Sequence, residues 1–149
     1  LSEEEITRQR VDEIRELLKN KTHQELVNFV KGVISSEGLI IYAAKGPFSE
    51  GFIPDVITNI DGTRNGWVLI DVINNQESVL RDIAGLLVVK EERGDRVRAI
   101  LCAASHNVEG VRFMRAFLKQ YPEVDPFRIE EIRAVIRVLR KLKESQKLE

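Results

Sequence analysis

The spacing of hydrophobic positions changes several times along this chain, and each change marks an element. Ser2-x-x-Glu5 is a capping box, in which the two side chains satisfy the first free amides of a helix. Ile6, Val11, Ile14, Leu17 and Leu18 follow at near-helical spacing. Thr22-x-x-Glu25 repeats the signature. Leu26, Val27, Phe29, Val30, Val33 and Ile34 then form an apolar face that residues 35–38 bring to an end. Two helices within residues 1–35, or one helix broken near Asn20, are the expected opening.

After Gly38 the period shortens. Leu39-Ile40-Ile41-Tyr42-Ala43 is an apolar run suited to a buried strand, broken by Lys45-Gly46-Pro47. Residues 52–60 read as a second strand, with Pro54 at an edge or bulge. Asp61-Gly62 and Asn65-Gly66 mark a turn, and residues 67–73 read as a third strand that closes an antiparallel hairpin with the second. Val79, Leu80, Ile83, Leu86 and Leu87 lie on one face of a helix over residues 78–92, ended by Gly94. Residues 97–104 are apolar at nearly every position, as in a strand covered on both faces. Asn107 caps a further helix whose inner stripe is Val111, Met114, Phe117 and Leu118, and Tyr121-Pro122 stops it. Asp125-Pro126 reads as an N-cap followed by proline in the first turn. The long final helix, residues 127–149, carries Ile129, Ile132, Val135, Ile136, Leu139 and Leu142 inward, unless Phe127-Arg128-Ile129 is first a short edge strand. This order predicts one α/β domain over residues 1–149: a three-layer α/β/α architecture on a mixed sheet containing an antiparallel hairpin meander.

Composition narrows the picture. Hydrophobic residues at 43% and charged residues at 32% allow a buried core under a hydrated surface, which excludes a disordered chain. The apolar runs fall well short of the roughly 20 residues of a membrane helix, so no membrane partner is expected. A single cysteine, Cys102, excludes an internal disulfide and a multi-cysteine zinc site. Abundant Glu, Lys and Arg with few Gln give a thermophilic character. The start at Leu1 reads as a trimmed chain or a domain. With no basic-then-apolar export segment, a cytoplasmic protein is expected. Net charge is −1, yet residues 112–147 hold ten bases against five acids, a weak pointer to phosphate or an acidic partner.

The chemistry concentrates in Gly51-Phe52-Ile53-Pro54-Asp55 and Leu69-Ile70-Asp71-Val72-Ile73-Asn74. Two acids sit on paired strands among apolar residues, where a carboxylate is costly without a cation or donors. A bound Mg²⁺ or Mn²⁺ is one compensation, since both take hard oxygen ligands. At these residues the chain resembles the PD-(D/E)XK phosphodiesterase superfamily, the restriction-endonuclease-like fold shared by archaeal Holliday-junction resolvases. Pro54-Asp55 matches the PD pair, Asp71-Val72-Ile73 matches the (D/E)XK tripeptide, and the order of elements over residues 22–120 follows the family core. Glu25 lies where many members carry a further acid, and Gln76 where some carry a glutamine. The resemblance implies a metal on Asp55 and Asp71, with Glu25 as a further catalytic acid. It departs from the family at one point: the motif lysine is replaced by Ile73, which can neither carry charge nor donate a hydrogen bond. Lys45 and Lys90 are candidates for a relocated lysine, Lys45 the better placed; Arg64 is too distant.

The resemblance therefore implies a nuclease-fold protein of DNA repair or recombination with a degenerate site, acting by binding DNA or a nuclease partner. The alternatives are an active Mg/Mn-dependent endonuclease using Lys45, and an interaction domain unrelated to nucleic acid that homodimerises through its last helix. Arg133, Arg137, Arg140 and Lys141 line one side of that helix and, with His106 after the fourth strand, are the candidate nucleic-acid contacts. Ser105-His106 lacks the surroundings of a nucleophile elbow, Cys102 reads as a small core residue, and His23 as a surface residue.

Overall fold

Both capping boxes form. The Ser2 hydroxyl accepts from the Glu5 N–H while the Glu5 carboxylate accepts from the Ser2 N–H, and Thr22 and Glu25 repeat the exchange. They start α1 (Glu3–Leu18) and α2 (His23–Ser36) in the computed structural model of the protein, which describes residues 2–43, 52–74 and 79–148. Asn20 divides the two helices in a left-handed conformation, φ 59°, which asparagine tolerates better than most residues.

Four strands form one mixed sheet in the order β1 (Val56–Asn59), β2 (Trp67–Val72), β3 (Val97–Ala103) and β4 (Val124–Arg128). β1 and β2 make the expected antiparallel hairpin; β3 and β4 add parallel to β2. α3 (Val79–Arg93) and α4 (Val108–Leu118) are the crossovers, and α5 (Ile132–Leu148) closes the described chain. Alternate strand residues divide the core. Val68, Ile70, Val72, Ile100 and Cys102 pack with α2 and α5, while Leu69, Ile73, Ala99, Leu101 and Ala103 pack with α3 and α4. The result is the three-layer α/β/α architecture with a mixed sheet. Among the described residues no helix is long and apolar enough to cross a membrane.

Three expectations need correction. Residues 39–43 do not join the sheet as a strand. The Tyr42 N–H donates to the Ile57 carbonyl at 2.9 Å and the Thr58 hydroxyl to the Ile40 carbonyl at 2.8 Å, but no regular ladder forms and Ile40 is left 66% exposed. The run expected at residues 52–60 becomes a strand only from Val56, because Pro54 has no N–H and the N–H of Asp55 is taken by a side chain. Asp125-Pro126 does not start a helix: both lie in β4, at the sheet's edge, where a residue lacking an N–H is tolerated. The edge strand held open at Phe127 therefore exists and begins earlier, and α5 starts at Ile132 after a 3-10 turn over Ile129–Glu131.

The basic side of α5 is bound within the fold. Arg133 and Arg137 each hold Glu37 Oε1, at 2.9 and 3.0 Å, and Arg140 donates to the Glu37 carbonyl. Glu37 ends α2, and its side chain is 9% exposed. Burial alone would raise its pKa, but Arg133 and Arg137 outweigh burial and hold it below the ordinary carboxylate value. These contacts fasten α5 to α2 while Ile132 and Ile136 bury against the sheet. Replacing Glu37 with alanine is expected to cost about 1–2 kcal/mol, a figure discounted for the exposure of Arg133 and Arg137. Because its folded pKa is depressed, the Glu37 contribution is present above the unfolded value near 4.5 and disappears as pH falls through the folded one. Urea unfolding of the wild type and Glu37→Ala at pH 7 and pH 3 checks this: the gap should close in acid.

Candidate functional site

The register places the two aspartates opposite one another. Val56 pairs with Ile70 and Ile57 with Leu69, so Asp55 and Asp71 fall on the next rung, immediately beyond the β1 ladder. Two side-chain–backbone hydrogen bonds close that rung: the Asp55 N–H donates to Asp71 Oδ1, and the Val72 N–H donates to Asp55 Oδ2, both at 2.8 Å. The approach of residues 52–54 is fixed from α3, where the Phe52 ring lies over Gly85. A Cβ at that glycine would meet the ring at 2.2 Å.

A histidine completes the cluster. His23, in the first turn of α2, brings Nε2 to 3.2 Å from Asp55 Oδ2 and 3.1 Å from the Val72 carbonyl. Both neighbours are acceptors, so Nε2 carries a proton in either charge state of the ring. From the other face, the first turn of α3 brings the charges of Arg81 and Asp82 within reach.

Electrostatics distinguish these acids. Burial raises the Asp71 pKa to about 8; the Asp55 N–H works against that rise, and the charges of Asp55 and Asp82 add to it. Asp71 Oδ2 is buried with no hydrogen-bond partner. Burial and then the Asp55 charge raise Asp82 to about 6. Asp71 therefore meets its burial by holding a proton at neutral pH.

The other expected residues are dispersed. Glu25 points to solvent, committed to the Thr22 cap and to Lys21 at 3.7 Å; the Thr22 backbone bond is the main reason its pKa is lowered. Lys45 and Gln76 lie outside the described residues. Lys90 cannot stand in for the motif lysine: its Nζ is at the opposite end of the sheet, donating to the carbonyls of Gly94 and Val97. Ile73 is fully buried in the α3/α4 core. His106 is exposed after β3, while Arg133, Arg137 and Arg140 serve Glu37, leaving Lys141 on the open face of α5. The neighbouring Ser105 gives its hydroxyl to Glu130, not to His106. Cys102 is buried, and burial holds its thiol well above the ordinary pKa.

His23, expected at the surface, keeps 43% of its side chain exposed, but its contact with Asp55 was missed by sequence reasoning, as was Asp82. His23 directly follows a capping threonine, a position that usually faces solvent, and its partner lies 32 residues on. For Asp82, the available signal was an acid in the first turn of the helix that follows the motif.

As placed, these residues do not fit the Mg²⁺ or Mn²⁺ that the resemblance implies. Such an ion needs several oxygens converging at about 2.0–2.2 Å. Asp55 Oδ2 is already held by two N–H groups, and Asp71 Oδ1 by one. His23 Nε2 stands where an ion would share Asp55 Oδ2 and the Val72 carbonyl. Among the described residues no three His, Cys, Asp or Glu side chains converge on a point that could hold a metal.

No family model, curated protein or solved structure matches the chain.

The raised pKa values carry a sign. Between about 4 and 8, native Asp71 keeps a proton that the unfolded chain releases, so stability falls as pH rises through that window. Asp82 adds to the fall only up to about pH 6. Asp71→Asn, which keeps an acceptor for the Asp55 N–H, is expected to flatten the curve from pH 6 to 8, where the wild type loses on the order of 2 kcal/mol. Parallel pH–stability curves for the two proteins would show that Asp71 is not the group responsible.

Proposed function

We propose that this chain is a nuclease-fold protein of nucleic-acid processing in the cytoplasm, with a degenerate active site, acting by binding DNA or a nuclease partner without cutting. The observation that supports this is the closed rung. Asp55 and Asp71 stand opposite each other, as the resemblance expects, but one oxygen of each, Asp55 Oδ2 and Asp71 Oδ1, is spent on the Val72 and Asp55 amides and on His23. The position of the motif lysine, Ile73, lies in the hydrophobic core. An arrangement of this kind keeps the scaffold of a phosphodiesterase but puts a hydrocarbon, Ile73, where a motif lysine would help to stabilise a leaving phosphate, the contribution on which phosphoryl chemistry most depends.

A second reading, an Mg- or Mn-dependent endonuclease, is favoured by one observation: Asp71 Oδ2 is buried without a donor, as an oxygen reserved for a cation would be. It requires His23 to swing away and Lys45 to take the place of the absent lysine.

The two readings separate in one experiment. With Mg²⁺ or Mn²⁺ present, plasmid, single-stranded and branched DNA are expected to stay intact, while retention of DNA falls steeply with added salt, because phosphate binding depends on the release of counterions. Cleavage that disappears in both Asp71→Asn and Lys45→Ala would establish the endonuclease instead. Absence of DNA retention even at low salt would leave only the partner-binding form of the proposal.

A further inference from the structure

α5 has a buried face and a face tied to α2, and a further face is open. Ile132 and Ile136 are buried against the sheet, and Arg133, Arg137 and Arg140 reach Glu37 at the end of α2. The open face carries Ala134, Val138 and Leu142, each four residues after the last. Val138 is 55% exposed and Leu142 51%. Leu142 shares a cleft with Asp125, so this face lies on the β4 side of the helix. Exposed apolar residues stacked along one helix face form a patch, which marks an interaction surface where scattered single residues do not.

The neighbouring sheet edge does not supply the docking contacts. Successive residues of a strand turn their N–H groups to opposite sides. Val124 gives its N–H to the Tyr121 carbonyl at 3.2 Å, Pro126 has none, and Arg128 gives its N–H to Glu131 Oε1 at 2.9 Å. The outer side of β4 therefore has no N–H left for an added strand. A partner at this flank docks on side chains.

The open face is complementary to itself. Take two copies related by a two-fold axis, with their α5 helices antiparallel. Val138 of each copy can then sit over Ala134 of the other, a large side chain against a small one. Three residues outward from that contact along each helix, Glu131 of one copy is level with Lys141 of the other. Both side chains are exposed. Glu131 commits Oε1 to the Arg128 N–H, which leaves Oε2, and among the described residues Lys141 has no carboxylate partner. One register thus satisfies the apolar contact and the ion pair together, each twice per dimer. A partner of another sequence would not require the two to coincide.

We propose that this face of α5 is a two-fold interface between copies of this chain, in the register that sets Val138 over Ala134. The proposal does not depend on the nucleic-acid reading above. One helix pair buries an area at the small end of specific interfaces, so dissociation in the micromolar range is expected.

The test is sedimentation of the full chain over roughly 1–300 µM, where a monomer–dimer equilibrium is expected. Val138→Glu sets a carboxylate against Ala134 of the other copy and should weaken dimerisation by about 10-fold or more. Lys141→Glu places like charges opposite each other and should weaken it about 5-fold. Adding Glu131→Lys to Lys141→Glu should restore it. The Lys141→Glu loss should also shrink in about 0.5 M salt, a readout that leaves the Glu131 cap untouched. Circular dichroism should show the variants folded, because the substituted side chains are exposed. A wild type that stays monomeric across the range would overturn the proposal, and so would a dimer indifferent to Val138→Glu. A Lys141→Glu loss that neither the second substitution nor salt relieves would overturn the register.

Discussion

At the end of the β1–β2 hairpin two carboxylates take the place of two ladder bonds, and the local architecture depends on that exchange. Pro54 has no N–H to offer, so the ladder cannot extend past Asp55. Asp71 instead accepts the Asp55 N–H, and Asp55 accepts the Val72 N–H. Each carboxylate thus accepts from a backbone N–H beyond the last regular rung, while His23 reaches the Val72 carbonyl, and such backbone groups are costly when buried without partners. His23 then ties the same point to α2 through Asp55 and the Val72 carbonyl. Hairpin, helix and sheet end are joined at one rung.

The sign of the charge around that rung follows from burial. Asp71 faces the α3/α4 side of the sheet with Leu69 and Ile73. Among the described residues the cations on that side stand off: Arg81 acts from α3, and Lys90 is bound at the far end of the same helix. Desolvation therefore outweighs attraction, and a proton neutralises the group. Glu37 illustrates the opposite balance. It is only partly buried, and three arginines converge on it, so its pKa falls. The two acids go in opposite directions because one lies nearer the surface with cations within hydrogen-bond reach and the other is enclosed by a hydrocarbon core.

Most of the fold was legible, because long periodic segments declare themselves. α2, α3, α4, the hairpin and the doubly covered β3 all follow from apolar spacing and capping residues. The errors fall where local and tertiary preferences compete. Asp125-Pro126 has the local chemistry of a helix start, yet pairing along β3 outweighed it, and nothing within four residues reports the presence of β3. Leu39 to Ala43 has strand composition, but β1 makes only sparse contacts with it. In the candidate site the opposition of Asp55 and Asp71 was legible because a hairpin converts sequence spacing into register. His23 and Asp82 were not, because helix termini reach the site through packing that spacing does not encode. The arginines of α5 showed the complementary failure: their periodicity was visible, whereas Glu37, about a hundred positions earlier, was not.

A structural role for the two aspartates also bears on why acids occupy these positions without the motif lysine. In a metal-dependent site, replacing the lysine by isoleucine removes the charge that balances two carboxylates, and the acids then have no reason to remain. At this rung they have a reason that involves no cation. An amide in place of Asp71 would accept the Asp55 N–H equally well but could not shed its N–H₂ donors, one of which would face the buried pocket that now holds Oδ2. A protonated acid presents only one such hydrogen, and a hydrocarbon side chain would abandon the Asp55 N–H altogether. Asp55 is constrained more tightly, since its carboxylate receives the Val72 N–H and the His23 N–H together and a neutral side chain would weaken both bonds. Acceptance of the Asp55 and Val72 N–H groups is therefore sufficient to account for both acids at this rung. The presence of the pair reports on the hairpin, and any chemistry must be read from the cations around it.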